Sequence, residues 1–195
     1  MEIRERQLDI IQAAGTILTR SGLGGLTVKN LASEMAFSES ALYRHFKSKE
    51  EIILAMLKFL AADMDKRLSM ALADELDPES KLQILFEDQF RFFNNNPHFV
   101  VAVFSDCLME ESNSINERIL ALMAIKTKHV LPIIKQGQKQ GIFTKEIKAE
   151  ALMHIILGAF RLQMFKWKSE NFRNDILKEG KLLVKSMLLL IKTKK

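Results

Sequence analysis

Apolar side chains recur along this chain at three- and four-residue intervals, the spacing of one face of a helix. Ile3, Leu8, Ile10, Ile11, Ala14, Ile17 and Leu18 make the first such stripe. Gly22, Gly24 and Gly25 follow it, so a first helix is predicted over about 4–20. Thr27 is an N-cap residue for a short second helix in TVKNLASEM, where Asn30 stands at the position of a capping-box acid. Ser38 caps a third, about 39–45, with Glu39 in its first turn. Ser48 caps a fourth, whose stripe of Ile53, Met56, Leu57, Leu60, Met64 and Leu68 should reach about Ala73. Further helices are expected to start near Pro78, Pro97 and Asn113, because proline suits a first helical turn and Asn113 is a polar cap. Gly141 closes the helix that holds Pro132, which should kink it. Two last helices fall at about 146–166 and 169–193, making about nine in all.

The helices of the first fifty residues are short and the rest are long, and no linker separates the two parts. The expected architecture is all-α: a three-helix head over residues 1–50, with a helix-turn-helix at about 27–46, on a larger helical bundle over residues 51–195. Leu31, Ala32, Phe37, Leu42 and Phe46 would lock the two short helices together. The last two helices are apolar around too much of their girth for a single core-facing stripe. Leu152, Ile155, Ile156 and Ala159 on one, with Leu183, Val184, Met187, Leu188 and Ile191 on the other, are therefore expected to meet a second copy as a four-helix bundle. Gly158 and Gly180 would allow close backbone approach.

Composition narrows the chemistry. Only 3 Pro and 8 Gly interrupt a chain rich in helix formers. With 1 Cys, Cys107, and 4 His, neither an internal disulfide nor a structural zinc site is expected, and no cofactor is implied. No apolar run approaches the ~18 residues of a membrane span, so a soluble, cytoplasmic protein is expected. The net charge of +5 is not gathered in the head, where residues 1–50 hold seven Lys/Arg against six Asp/Glu. Charge alone does not mark a nucleic-acid surface. Asp106 with Cys107 and Glu150 with His154 lack a third ligand or an orienting partner, so no enzyme is expected.

The segment TVKNLASEMAFSESALYRHFKSKEEI, preceded by IIQAAGTILTRSGLGGL, resembles the DNA-binding head of the TetR/AcrR family of transcriptional regulators. The resemblance covers about residues 5–57 and lies in Ala13, Ala14, Gly22, Thr27, Val28, Leu31, Ala32, Ser38, Leu42, Tyr43, His45, Phe46, Lys49 and Glu50. It implies that Thr27 and Lys49, with the N-termini of the second and fourth helices, hold the DNA backbone, with Lys29 as a further candidate. Tyr43 and His45 would add phosphate contacts, and Ser38 offers one more donor on the same rim. Base edges would be read by Glu39, Ser40, Ala41 and Arg44, with Arg44 the best placed for guanine. Two positions depart from the family pattern. Ala36 stands where glycine is common, so the turn is expected without a freely positive φ, and Glu39 stands where a basic or small residue is more frequent.

The resemblance further implies a homodimer on double-stranded operator DNA, released when a small effector enters the rest of the chain. Phenylalanine and methionine are concentrated there, and Met56, Phe59, Phe86, Phe90, Phe93, Phe104, Cys107, Met123, Phe160 and Met164 are the pocket candidates. Few polar groups accompany them (Gln89, Arg91, Asn94, Arg161, Gln163), which points to a hydrophobic effector. A TetR-like protein that binds DNA but acts on another protein is the alternative.

Overall fold

The computed structural model describes residues 5–72, 76–104 and 112–193. Nine helices fold among the described residues: α1 Glu5–Gly25, α2 Val28–Glu34, α3 Glu39–Tyr43, α4 Lys49–Ala71, α5 Pro78–Asn95, α6 Pro97–Val103, α7 Asn113–Lys139, α8 Ala149–Ser169 and α9 Ile176–Ile191. The expected end of α4 at Ala73 and the pocket candidate Cys107 lie outside the described residues.

Local chemistry sets the boundaries. α1 runs past its predicted end because Gly22 takes a left-handed φ of 63° and the chain resumes a helical turn to Gly25. Asp77 starts α5 by accepting from the backbone N–H groups of Glu79 and Ser80, and the Ser80 hydroxyl, with these backbone bonds, holds its carboxyl below the usual carboxylate range. α7 continues as one helix through Pro132. α9 begins later than the apolar pattern suggests. Asn171 and Phe172 take positive φ, the Trp167 indole N–H donates to the Asn174 carbonyl at 2.9 Å, and Asp175 then caps Leu177 and Lys178.

The chain divides into two compact units, Met1–Asp63 with Asn96–Leu122, and Met64–Asn95 with Met123–Lys195. In the first, α1 packs on α2 and α6. Ile10, Ala14, Ile17, Leu31, Ile53, Met56, Leu60 and Val100 are buried, each contributing about 1.5–3 kcal/mol of transfer free energy if large and fully covered. The Phe59 and Phe99 rings stack 6.2 Å apart.

In the second unit α9 packs on α5 and α8, and the core is aromatic. Phe160 of α8 sits among three rings of α5, with centroids 5.6 Å from Phe86, 5.1 Å from Phe90 and 6.3 Å from Phe93. A Cβ at Gly180 would come within 2.5 Å of the Phe90 ring, so α9 can lie this close to α5 only because that residue is glycine. Polar ties run around this core. Arg67 pairs with Asp88 and covers the Phe92 ring at 4.1 Å. Asp65 accepts from Lys128 at 2.9 Å and bonds His129 at 2.8 Å, and these two partners hold its carboxyl below its usual range.

Candidate nucleic-acid interface

The helix-turn-helix is assembled by its caps. The Thr27 hydroxyl oxygen accepts from the Asn30 N–H at 3.1 Å, and the Asn30 side chain turns back to donate to the Gly25 carbonyl at 2.8 Å, tying α2 to the end of α1. Ser38 accepts from the Ala41 N–H at 3.2 Å and lies 3.0 Å from the Ser40 hydroxyl. Ser48 accepts from the Glu51 N–H at 3.2 Å, while the Glu51 carboxylate accepts from the Lys47 N–H at 2.7 Å. In a cap the hydroxyl oxygen is the acceptor, so the cap does not use the Thr27 hydroxyl hydrogen.

The turn is made differently from the expectation. Ala36 carries a φ of 54°, in the left-handed region, where the sequence reading expected the angle to be made without a positive φ. The Phe37 N–H donates to the Ala32 carbonyl at 2.9 Å and the Ala36 N–H to the Ser33 carbonyl at 3.2 Å. These bonds close α2 only if residue 36 bends back, and the alanine bears the steric cost.

Leu31, Ala32, Leu42 and Phe46 are buried between the short helices, and Phe37 is half-buried under the Arg6 guanidinium, 4.9 Å from its ring. An Arg20–Glu34 ion pair at 2.9 Å links α1 to α2. Thr27, Lys29, Ser38, Glu39, Ser40, Tyr43 and Arg44 are exposed, whereas Ala41, His45 and Lys49 are half-buried. Tyr43 is 50% exposed, which for a tyrosine anchored beside buried Leu42 leaves a large part of the ring in solvent. The short α3 ends at Tyr43, and the N–H groups of His45 and Phe46 both close on the Leu42 carbonyl, at 2.8 and 3.0 Å. All ten interface candidates thus belong to the first unit and lie on or beside α2, α3 and the start of α4.

The described pocket candidates are divided between the two units. Phe86, Phe90, Phe93 and Phe160 meet in the second unit as interlocked, buried side chains, and Met164 is buried in the same unit. Met56 and Phe104 are buried in the first unit with half-buried Phe59, and Met123 is 49% exposed. Composition cannot tell a filled aromatic core from an open one. A surface groove of about 500 Å³ lies in the second unit between α5 and α9, lined by Glu79, Gln83, Glu87, Lys178, Lys181, Leu182 and Lys185 among others.

The apolar face left open on the last two helices also differs from the one the pattern picked out. Leu152, Ile156, Val184, Met187, Leu188 and Ile191 are buried within the chain, Ala159 and Leu183 are half-buried, and of the nine only Ile155 is exposed. Outward stand Ile155 and Leu162 on α8 and Leu182, Leu189 and Leu190 on α9. A Cβ at Gly158 would meet no other described part of the chain within 4 Å, and Ile155, Leu162 and Phe165 are exposed, so this stripe along α8 is uncovered by the described residues. The pattern counted apolar residues correctly but could not say which of them the chain itself covers.

A short exposed helix, held by two capped neighbours and ringed by hydroxyl, phenol, imidazole and cationic groups, defines a helix-turn-helix DNA-binding regulator. Residues 10–56 match the family described as bacterial regulatory proteins, tetR family, and residues 78–181 match the tetracyclin repressor-like C-terminal domain. The chain belongs to the TetR family of transcriptional regulators.

Among its relatives, the nucleoid occlusion factor SlmA of Shewanella pealeana is 28% identical over 168 residues, 86% of this chain and 85% of that protein. Matches to factors of the same name in other Shewanella species are shorter, down to 60% of their own length. The fold is shared with the fatty acid degradation regulator FadR of Bacillus halodurans, with a TM-score of 0.85, 16% identity and coverage of 96% of this chain and 97% of that one. It is also shared with FadR of Bacillus subtilis in complex with stearoyl-CoA, with a TM-score of 0.80, 15% identity and coverage of 95% and 98%. Among the described residues no helix is long and apolar enough to cross a membrane, and no group of three or more His, Cys, Asp or Glu could hold a metal ion.

Proposed function

We propose that this protein is a cytoplasmic repressor that binds a palindromic operator as a homodimer and leaves it when a small hydrophobic ligand binds. Residues 1–50 grip the DNA, and residues 51–195 carry the effector site and the dimer contact. The observation that carries this reading is the exposed surface of α3, with Glu39 and Ser40 at its start and Arg44 just past its end in solvent, beside the capping hydroxyls of Thr27 and Ser38. Thr27, Lys29, Ser38, Tyr43, His45 and Lys49 meet phosphates, and Glu39, Ser40, Ala41 and Arg44 face base edges.

A dimer must hold its two recognition helices about 34–36 Å apart, one turn of DNA, so a displacement of a few ångströms breaks the register. α4 begins beside the recognition helix and runs on into the second unit, so a ligand that moves its far end also moves the head. DNA and effector then oppose each other reciprocally. The outward stripe of Ile155, Leu162, Leu182 and Leu189 supplies the apolar face for a second copy.

Purified protein should shift a palindromic duplex, and Tyr43→Ala and Lys49→Ala should each weaken that complex at unchanged thermal stability. Binding unaffected by both substitutions would refute the interface.

The relatives named as nucleoid occlusion factors favour a second reading, in which the DNA-bound protein acts on a protein partner. Genome-wide occupancy separates the two. A few promoter sites mean a regulator, and many sites scattered along the chromosome mean the other role.

A further inference from the structure

The groove of about 500 Å³ between α5 and α9 has two walls of unlike charge. On α5 the acids are already satisfied. Glu79 pairs with Lys192 at 2.8 Å, and the Glu87 carboxylate accepts from the Gln83 amide at 2.9 Å. On α9, Lys178, Lys181 and Lys185 stand exposed, and their ammonium groups make no ion pair or hydrogen bond among the described residues. Between the walls the floor is apolar, with Val184 and Leu188 buried, and Leu182 and Leu189 form a lip 58% and 65% exposed. A smaller hollow of about 220 Å³ shares Glu87 and Lys181 and carries the seam on to Leu177 and Arg91. The charge left unanswered along this seam is therefore positive. Ile155 and Leu162, central to the stripe offered to a second copy, line no part of it, so the groove borders that face without being it.

We propose that this groove docks a short acidic, amphipathic helix of a partner protein, with its apolar side chains on Val184 and Leu188 and its carboxylates on Lys178, Lys181 and Lys185. This rests on the second reading, in which the DNA-bound protein acts on a protein partner, and it supplies the surface and the partner's chemistry. The lysines follow one another at three and four residues, about 4.5 and 6 Å along α9. A helix lying in the groove repeats acids at the same intervals, whereas a strand sets same-face side chains about 6.6 Å apart and loses register. A flat anionic membrane would not reach a concave floor, and a nucleic-acid backbone would meet Glu79 and Glu87 on the opposite wall. All groove residues belong to the second unit and all ten DNA-interface candidates to the first, so partner and DNA share no residue.

The test uses the full-length protein and three fluorescein-labelled peptides. The first, ELAELLAELLAELLA, carries glutamates at three- and four-residue intervals, and the other two replace every glutamate with glutamine or with lysine. In fluorescence anisotropy the acidic peptide should bind at least tenfold more tightly than the glutamine peptide, and the lysine peptide should not bind. Lys181→Glu with Lys185→Glu should remove that preference, and Lys181→Arg with Lys185→Arg should keep it. Both positions are exposed, so melting temperature should not change, and Lys178→Glu gives the same reading should the double variant fail to fold. Equal binding of the acidic and glutamine peptides, or a preference that survives the charge reversal, would overturn the groove. So would a dimer that dissociates in light scattering when the acidic peptide binds or when the two lysines are reversed, because the groove would then belong to the second copy.

Genome-wide occupancy judges the underlying role separately. Occupancy restricted to promoters, with the acidic peptide still bound through the lysines, keeps the groove and removes the non-transcriptional role. Scattered occupancy without the peptide complex keeps the role and removes the groove.

Discussion

The imidazole of His98 occupies the space that a side chain at Gly15 would fill. A Cβ on Gly15 would come within 2.7 Å of the His98 ring, so α1 and α6 can lie this close at that point only because residue 15 is glycine. The ring is held on its other side by Phe99, with centroids 4.3 Å apart. Gly15→Ala should therefore destabilise the protein by about 1–3 kcal/mol despite the higher helix propensity of alanine. A rise in melting temperature would contradict the contact.

Burial lowers the His98 imidazole to about 4. As pH falls below 6.5 the unfolded chain takes up the proton first, so this residue withdraws stability between pH 6.5 and 4 and adds no further slope below that. Above pH 6.5 it contributes no pH dependence. His98→Asn should flatten melting temperature against pH within that window, and parallel profiles for the two proteins would show that the ring titrates in solvent.

Ala36 holds a φ of 54° without the freedom of glycine. A left-handed alanine costs roughly 1–2 kcal/mol, and the extra unfolded-state entropy of glycine returns part of that. Ala36→Gly should thus stabilise the protein by up to about 1 kcal/mol, which is about 2–4 °C for a chain of this size. A loss of stability would mean that the turn is not strained.

Most of the fold was legible because the signals that set it are local. Thr27, Ser38, Ser48 and Pro78 mark helix starts by their own chemistry, and the structure places starts there. The positions of Leu31, Leu42 and Phe46 follow from periodicity alone. What periodicity could not supply was the partner of each apolar face. Val184 and Leu189 are equally apolar, yet α9 buries the first and exposes the second. Lys126 gave no sign either, because a lysine on a long helix reads as a solvated residue until the ring of Phe160 is found beneath it. At Ala36 the sequence marked the turn, but the backbone angle was decided by the bonds that close α2.

The uncovered stripe on α8 and α9 gives a direct prediction for assembly. Leu162 and Leu189 are 68% and 65% exposed, so charging either should cost nothing inside the chain. Leu162→Glu and Leu189→Glu should convert a dimer to a folded monomer in light scattering, with helical content unchanged by circular dichroism. A dimer that persists in the double variant would place the contact elsewhere.

Selection of bound sequences from a random pool of duplexes tests the central claim most directly. The account predicts enrichment of a palindrome, and for Arg44→Ala a loss of preference at one base pair in each half-site, worth about 1–3 kcal/mol. Lys49→Ala should weaken binding to all sequences alike and lower the salt dependence. A pool that shows no palindrome, or one selected equally well by Arg44→Ala, would contradict it.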